Sequence, residues 1–137
     1  MFDQSINNLK LINNSIENFP NISKPNIICV SKTFPISRLE PLIRHGHNHF
    51  GENKVQEAEV KWLELREKKP SLKIHMIGKL QSNKAKKAVK VFDFIHSLDN
   101  QKLAEICKKS ENDLNKKISY FIQVNVGNES QKSGVKT

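Results

Sequence analysis

The sequence predicts an α/β fold: a parallel sheet whose strands are joined by crossover helices. Two observations carry that reading. Apolar residues recur alternately at helical spacing and in short β-branched runs, five times over. The polar residues able to do chemistry fall at the carboxyl ends of the short runs, where parallel α/β folds place their ligand sites.

The elements follow in order. Ile6, Leu9, Ile12, Ile16 and Phe19 share one helical face, so residues 3–19 read as an amphipathic helix stopped by Pro20. Residues 26–31 form a short apolar run around Ile27-Ile28-Cys29-Val30, the mark of a buried strand. Ser37 with Glu40 makes a capping-box pattern opening a short helix that ends near Gly46. Residues 47–51 are a weak second strand. Asn53 with Gln56 resembles a second cap, leading a helix to Lys69 that Pro70 halts. Residues 72–77 are a third strand. Ser82 or Asn83 caps a Lys-rich helix to about Val91. Residues 92–96 are strand four, Asp99 caps a helix to about Asn112, and residues 118–126 are strand five. The alternation argues for parallel strands with helical crossovers.

Two architectures compete at 137 residues. A five-stranded doubly wound sheet suits the length, whereas a (β/α)₈ barrel needs about 250 residues. Three features weigh against the small sheet as the whole fold. The sequence opens with a helix before strand one, no helix follows strand five, and no Gly-rich loop follows the first strand.

Composition excludes several classes. The longest apolar run is four residues, and a transmembrane helix needs about 20. The start, Met1-Phe2-Asp3-Gln4, is neither basic nor followed by an apolar stretch, so no signal peptide is expected. Cys29 and Cys107 make no disulfide framework or metal pattern and read as reduced packing thiols, in line with a cytoplasmic protein. The net charge of +9 lies entirely in residues 61–137, in runs such as Lys84-Ala85-Lys86-Lys87. Arginines number three, and no aromatics interleave with the lysines. Nucleic-acid surfaces favour Arg forks and stacking rings, so Lys84, Lys86, Lys87 and Lys90 read as a solvated helix face. Nucleic acid is not the expected partner.

The carboxyl-end clusters are Lys32; Glu52 and Asn53; Gly78, Gln81, Ser82 and Asn83; Ser97 and Asp99; and Asn125, Gly127 and Lys132. Lys32 stands out among the 20 lysines because it follows a buried apolar run directly. A lysine there is expected to be partly desolvated. Desolvation lowers an amine's pKa and frees it as a nucleophile, which is what a Schiff base with an aldehyde such as pyridoxal phosphate requires.

Five stretches resemble one known family. They are Val30-Ser31-Lys32-Thr33; Phe50-Gly51-Glu52-Asn53-Lys54-Val55-Gln56-Glu57; His75-Met76-Ile77-Gly78-Lys79-Leu80-Gln81-Ser82-Asn83-Lys84; Ile95-His96-Ser97-Leu98-Asp99; and Gln123-Val124-Asn125-Val126-Gly127-Asn128-Glu129 with Lys132-Ser133-Gly134-Val135. In that order and spacing they resemble the pyridoxal phosphate homeostasis family, whose fold is similar to the alanine racemase N-terminal barrel. The resemblance covers nearly everything from residue 26 onward. It implies a parallel (β/α) barrel of TIM type and pyridoxal 5'-phosphate held as a Schiff base on Lys32. Asn53, Gly78, Gln81, Asn83 and Asn125 are then expected to line the cofactor mouth. Three positions depart from the family pattern. Phe34 stands where a second lysine is usual, Ile74 where an aromatic is common, and Lys79 where a histidine or small residue is more frequent.

The resemblance also implies eight strands, and the pattern here supplies five. The expectation is one partial barrel domain over 1–137, C-terminally truncated, without the Ser, Gly and Thr phosphate cradle that the family builds near its last strands. Its partners are expected to be pyridoxal phosphate and related B6 vitamers, with a separately encoded C-terminal half as a further candidate. The function expected is intracellular pyridoxal phosphate homeostasis, binding without committed turnover. The alternatives are a racemase-type enzyme, which needs an acid or base on each face of the cofactor adduct, and, behind it, a basic nucleic-acid-binding protein, which steep salt dependence of binding would mark. For the racemase, Tyr120, His75 and His96 are the side chains in question, and Tyr120 falls early in strand five, away from the carboxyl edge.

Overall fold

The computed structural model describes residues 3–20 and 23–137. In chain order the elements are α1 (Gln4–Glu17), β1 (Cys29–Val30), α2 (Ile36–Arg44), β2 (His49–Glu52), α3 (Val55–Lys68), β3 (Lys73–Met76), a 3-10 turn (Ser82–Lys84), α4 (Ala85–Val91), β4 (Phe94–Leu98), α5 (Gln101–Leu114), β5 (Ser119–Ile122), β6 (Val124–Asn125) and β7 (Val135–Lys136). The first five strands form one parallel sheet in the order β1-β2-β3-β4-β5. That order decides between the two architectures. A doubly wound sheet reverses at a switch point and puts its first strand inside, whereas a barrel adds each strand beside the last. This sheet is a barrel wall that is not closed.

Alternation along the strands divides the two faces of the wall. Phe50 and Glu52, Ile74 and Met76, and Ile95 and Ser97 point to the helices and are buried. The apolar ones meet Trp62 of α3, Ala85, Ala88 and Val89 of α4, and Leu103 and Cys107 of α5 in one core. His49, Gly51, His75, Phe94 and His96 alternate onto the opposite, inner face. Burial pushes the thiols of Cys29 and Cys107 up, and both are free. Among the described residues no helix is long and apolar enough to cross a membrane.

Several local expectations are corrected. Strand one covers two residues instead of six, because only Cys29 and Val30 find partners on β2. Strand four begins at Phe94, not at Phe92, whose N–H still donates to Ala88 O of α4. Asp93 is taken up by Arg66, at 2.6 Å, and by the Ile74 N–H, at 2.8 Å. The caps sit one or two residues away from the expected ones. Pro35, not Ser37, precedes α2, and Lys54, not Asn53, precedes α3, neither with a side-chain cap bond. Asn100, not Asp99, caps α5 by accepting the Leu103 N–H at 2.8 Å. Ser82 and Asn83 lie inside the 3-10 turn that leads into α4. The single fifth strand is two, β5 and β6, and β6 pairs in parallel with β7, which periodicity did not suggest.

Candidate functional site

Lys32 leaves the end of β1 in the loop to α2. Two residues of β1 alternate before it, and Ser31 between points to the helices, so Lys32 belongs to the inner face. It is exposed, which corrects the expectation of a desolvated lysine. The reason is the short strand beneath it: Val30 is itself 51% exposed, because nothing among the described residues covers the inner face there.

The backbone on both sides of Lys32 is tied down. Ser31 is fully buried, and its N–H donates to Gly51 O at 3.0 Å. Its hydroxyl donates to Glu52 Oε1 at 2.8 Å. The same Glu52 oxygen accepts from Trp62 Nε1 and Lys61 Nζ, each at 2.8 Å. Lys61 Nζ also donates to Ser31 O at 2.9 Å and to Glu57 Oε1 at 3.0 Å. Glu57 Oε1 in turn accepts the Thr33 N–H at 2.6 Å. Lys61 and Glu52 form a buried pair, with side-chain exposures of 8% and 0%. Hydrogen bonding to Lys61, with the Thr33 N–H adding to it, holds the Glu57 carboxyl below its usual range. Thr33 has φ +67°, a left-handed conformation that costs a β-branched residue about 1–3 kcal/mol. Glu57, Lys61 and Trp62 carry this network, and the sequence reading did not single them out. The signal available was the Glu57–Lys61 spacing of four in the first turns of a helix, which marks a pair but not its reach to another loop.

The remaining edge residues are brought near one another without sharing one wall. A groove of about 980 Å³ is lined by Asn53, Lys54, Lys61, Lys79, Gln81 and Lys84, among others. A hollow of about 350 Å³ beside it is lined by Ile77, Lys79, Asn125, Gly127 and Lys132, among others. Lys79 borders both. Gly78, the residue before Lys79, lines neither and is pressed on the Asn53 backbone: a Cβ there would stand 2.5 Å from Asn53 O. The close approach its missing side chain permits is therefore between two loops. Asn53 Oδ1 is buried with no hydrogen-bond partner among the described residues. Asn125 is buried and spends its amide on its own loop, donating to Glu129 O at 2.8 Å and accepting the Glu129 N–H at 3.3 Å. Asn83 is exposed in the 3-10 turn and lines neither hollow, and Lys32 lies on the neighbouring loop. Glu52 and Ser97, expected in edge loops, lie in β2 and β4 and face the helices.

The inner face holds a row of imidazoles. His49 Nδ1 lies 2.9 Å from His75 Nε2, and His75 Nδ1 lies 2.9 Å from His96 Nε2. His75 stacks on Phe94 at 4.3 Å, and His96 on Phe121 at 4.5 Å. Burial, with the neighbouring His96 and His49 rings, pushes His75 down to about 4. Tyr120 pairs with Ile95 and packs against the helix-side core, and burial pushes its hydroxyl far up.

Comparison with known proteins places this architecture. The family model described as alanine racemase, N-terminal domain, matches residues 4–137. The chain belongs to the alanine racemase N-terminal domain family. Among the members of that family most similar to it is the pyridoxal phosphate homeostasis protein of Pasteurella multocida, 36% identical over 109 residues, covering 80% of this chain and 47% of that protein. The pyridoxal phosphate homeostasis protein of Buchnera aphidicola from Schizaphis graminum is 34% identical over 134 residues, covering 93% and 58%. The structure of PipY from Synechococcus elongatus without pyridoxal phosphate superposes with a TM-score of 0.84 at 37% identity, covering 96% of this chain and 59% of that one. The structure of PipY with pyridoxal phosphate bound gives 0.75 at 36% identity, covering 93% and 57%. The chain thus spans about half the length of the curated relatives it matches. Within the family fold its five strands form an open parallel wall.

Proposed function

We propose that the chain binds pyridoxal 5'-phosphate and serves its intracellular homeostasis in the cytoplasm, holding the cofactor through Lys32. One observation carries the reading. Lys32 is an exposed amine at the inner carboxyl edge of a parallel barrel wall, on a loop pinned at both neighbours. Pyridoxal phosphate supplies an aldehyde that such an amine captures reversibly, with water leaving. The residues present fit that end of the cofactor. The amine is accessible, and the orphaned Asn53 Oδ1 offers a buried acceptor on the adjoining loop. Gln81 and Asn83 are further amide candidates at the mouth, while Gly78 and Asn125 hold the loops that shape it. No phosphate ligand is assigned to this chain.

We read the function as binding without committed turnover. A racemase-type reaction gains no support from Tyr120, which faces the helices, or from His75 and His96, which are bonded to one another. Related B6 vitamers that keep the aldehyde fit the same amine. A separately encoded C-terminal half is a candidate partner, since the relatives are about twice as long.

Borohydride reduction in the presence of pyridoxal phosphate, followed by peptide mapping, tests the reading. The expected result is a label concentrated on Lys32 and absent from that peptide in Lys32→Ala. A label spread evenly over exposed lysines such as Lys86 and Lys87, at the same total in Lys32→Ala, overturns it.

A further inference from the structure

The geometry points to Glu57 and Lys61 as positioning residues, which reach from α3 to the β1–α2 loop and hold the Lys32 backbone in the orientation that presents its amine to an aldehyde. This inference rests on the cofactor reading of Lys32 and adds the parts that hold the backbone of that lysine. Most lysines here are exposed, so exposure alone selects none of them. Lys32 combines a place at the inner carboxyl edge with two flanking residues fixed from α3; Lys117, whose neighbours are likewise fixed, by Glu111 of α5, precedes β5 at the opposite end of the wall.

The fixing is specific. Lys61 Nζ sits 2.9 Å from Ser31 O, the residue before Lys32. Glu57 Oε1 sits 2.6 Å from the Thr33 N–H, the residue after it. Lys61 and Glu57 are bonded to each other at 3.0 Å, so the two anchors form one clamp. Glu52 backs the clamp from the core, accepting from Lys61, Trp62 and Ser31 through a single oxygen. Thr33 is held at φ +67°, a conformation that a β-branched residue leaves once its restraint goes. Releasing the Thr33 N–H therefore lets the chain relax at the residue that sets the direction of Lys32. A side chain held in place loses less freedom when it captures a ligand, and a loose one loses more. Neither Glu57 nor Lys61 needs to touch the cofactor for this effect.

The test uses the 137-residue chain and two readouts. In the cofactor-free chain, amide hydrogen exchange at Thr33 reports the clamp. With pyridoxal phosphate at low concentration followed by borohydride, the ratio of label on Lys32 to label on Lys87 reports presentation. Glu57→Leu removes the acceptor at a partly exposed position and is expected to speed Thr33 exchange and to lower the label ratio about tenfold, the equivalent of roughly 1.4 kcal/mol of lost positioning. Glu57→Gln keeps an acceptor oxygen and is expected to recover the ratio to within about threefold of the parent. Lys61→Met is expected to act in the same direction as Glu57→Leu, and its thermal unfolding is measured alongside to separate loss of fold from loss of presentation. Faster Thr33 exchange in Glu57→Leu with an unchanged label ratio overturns the positioning role. A parent chain that shows no preference for Lys32, with Thr33 exchange still slowed by Glu57, overturns the cofactor reading and the inference with it.

Discussion

Gly78 and Lys32 are neighbours at the same edge with opposite reasons for being what they are. Gly78 is glycine because the Asn53 backbone occupies the space of a Cβ, at 2.5 Å from the carbonyl oxygen and 2.8 Å from Cα. Gly78→Ala must push two loops apart and is expected to cost about 1–3 kcal/mol in urea unfolding, the usual range for overpacking. It should also shift the Asn53 amide resonances, since the displaced atoms are its own. Lys32 was legible in the sequence because it follows an apolar β-branched run. Its exposure was not, because burial depends on what covers the inner face, and no local pattern encodes that. The clamp around Lys32 was half legible. Glu52 stood out as a carboxylate at the end of a strand, yet its three donors come from residues 31, 61 and 62, separations that periodicity does not connect.

Among the elements, β3 shows how a strand can place a titratable group. His75 lies on the inner face with His49 on one side, His96 on the other and Phe94 stacked on it. In the fold it takes a proton only near pH 4, mainly through burial, whereas in the unfolded chain it does so near 6.5. The unfolded state therefore binds more protons below pH 6.5, and stability falls as the pH drops from 6.5 toward 4; above 6.5 this residue contributes no pH dependence. The expected loss specific to His75 is about 2–3 kcal/mol by pH 4.5, read as the difference between the parent and His75→Phe in urea titrations at pH 7 and 4.5. Equal slopes for both proteins would remove the row from the account. Helix α4 presents the opposite case. Lys84, Lys86, Lys87 and Lys90 are exposed at its start and along its outer face, and among the described residues they make only the long pairs Lys86–Asp113 at 3.6 Å and Lys87–Glu59 at 3.9 Å. Replacing Lys86 and Lys87 by Gln is expected to change stability by no more than about 0.5 kcal/mol each in thermal melts. The five helices and the five strands of the main sheet were legible as types, whereas β7 and the 3-10 turn were not. The caps were not, because adjacent polar residues such as Asp99 and Asn100 compete for one position, and backbone geometry chooses between them.

For the whole molecule, the strand order is what local patterns could not supply. Five strands joined by helices left a doubly wound sheet and a barrel both open, with three features weighing against the former, and the pairing of β1 with β2, and of each later strand with the next, decides between them. Motif order pointed to the barrel through resemblance, and the sheet agrees. Among the described residues, β1 and β5 each pair on one side only. Val30, Phe121, Ile122, Val124 and Val126 are exposed near those edges. Unpaired strands and uncovered apolar side chains favour association. The 137-residue chain studied by itself is therefore expected to sediment as a distribution of oligomers. Mixing with a separately produced polypeptide carrying three further βα units of a full-length relative should shift it toward one heterodimeric species. A sharp monomer peak for the chain by itself would show that its open wall is self-sufficient.

The row of histidines has a further property, set by counting protons. Each neutral imidazole carries one N–H, and each link in the row needs one donor and one acceptor nitrogen. If His49 Nδ1 donates to His75, then His75 must donate through Nδ1 to His96; if His96 donates, the whole sequence runs backwards. The three rings therefore share two tautomeric states of opposite polarity, and no ring can change its tautomer alone without placing two protons, or none, in a gap of 2.9 Å. A hydrogen-bond donor or acceptor arriving at the outer nitrogen of His49 or of His96 would set the direction for all three strands at once.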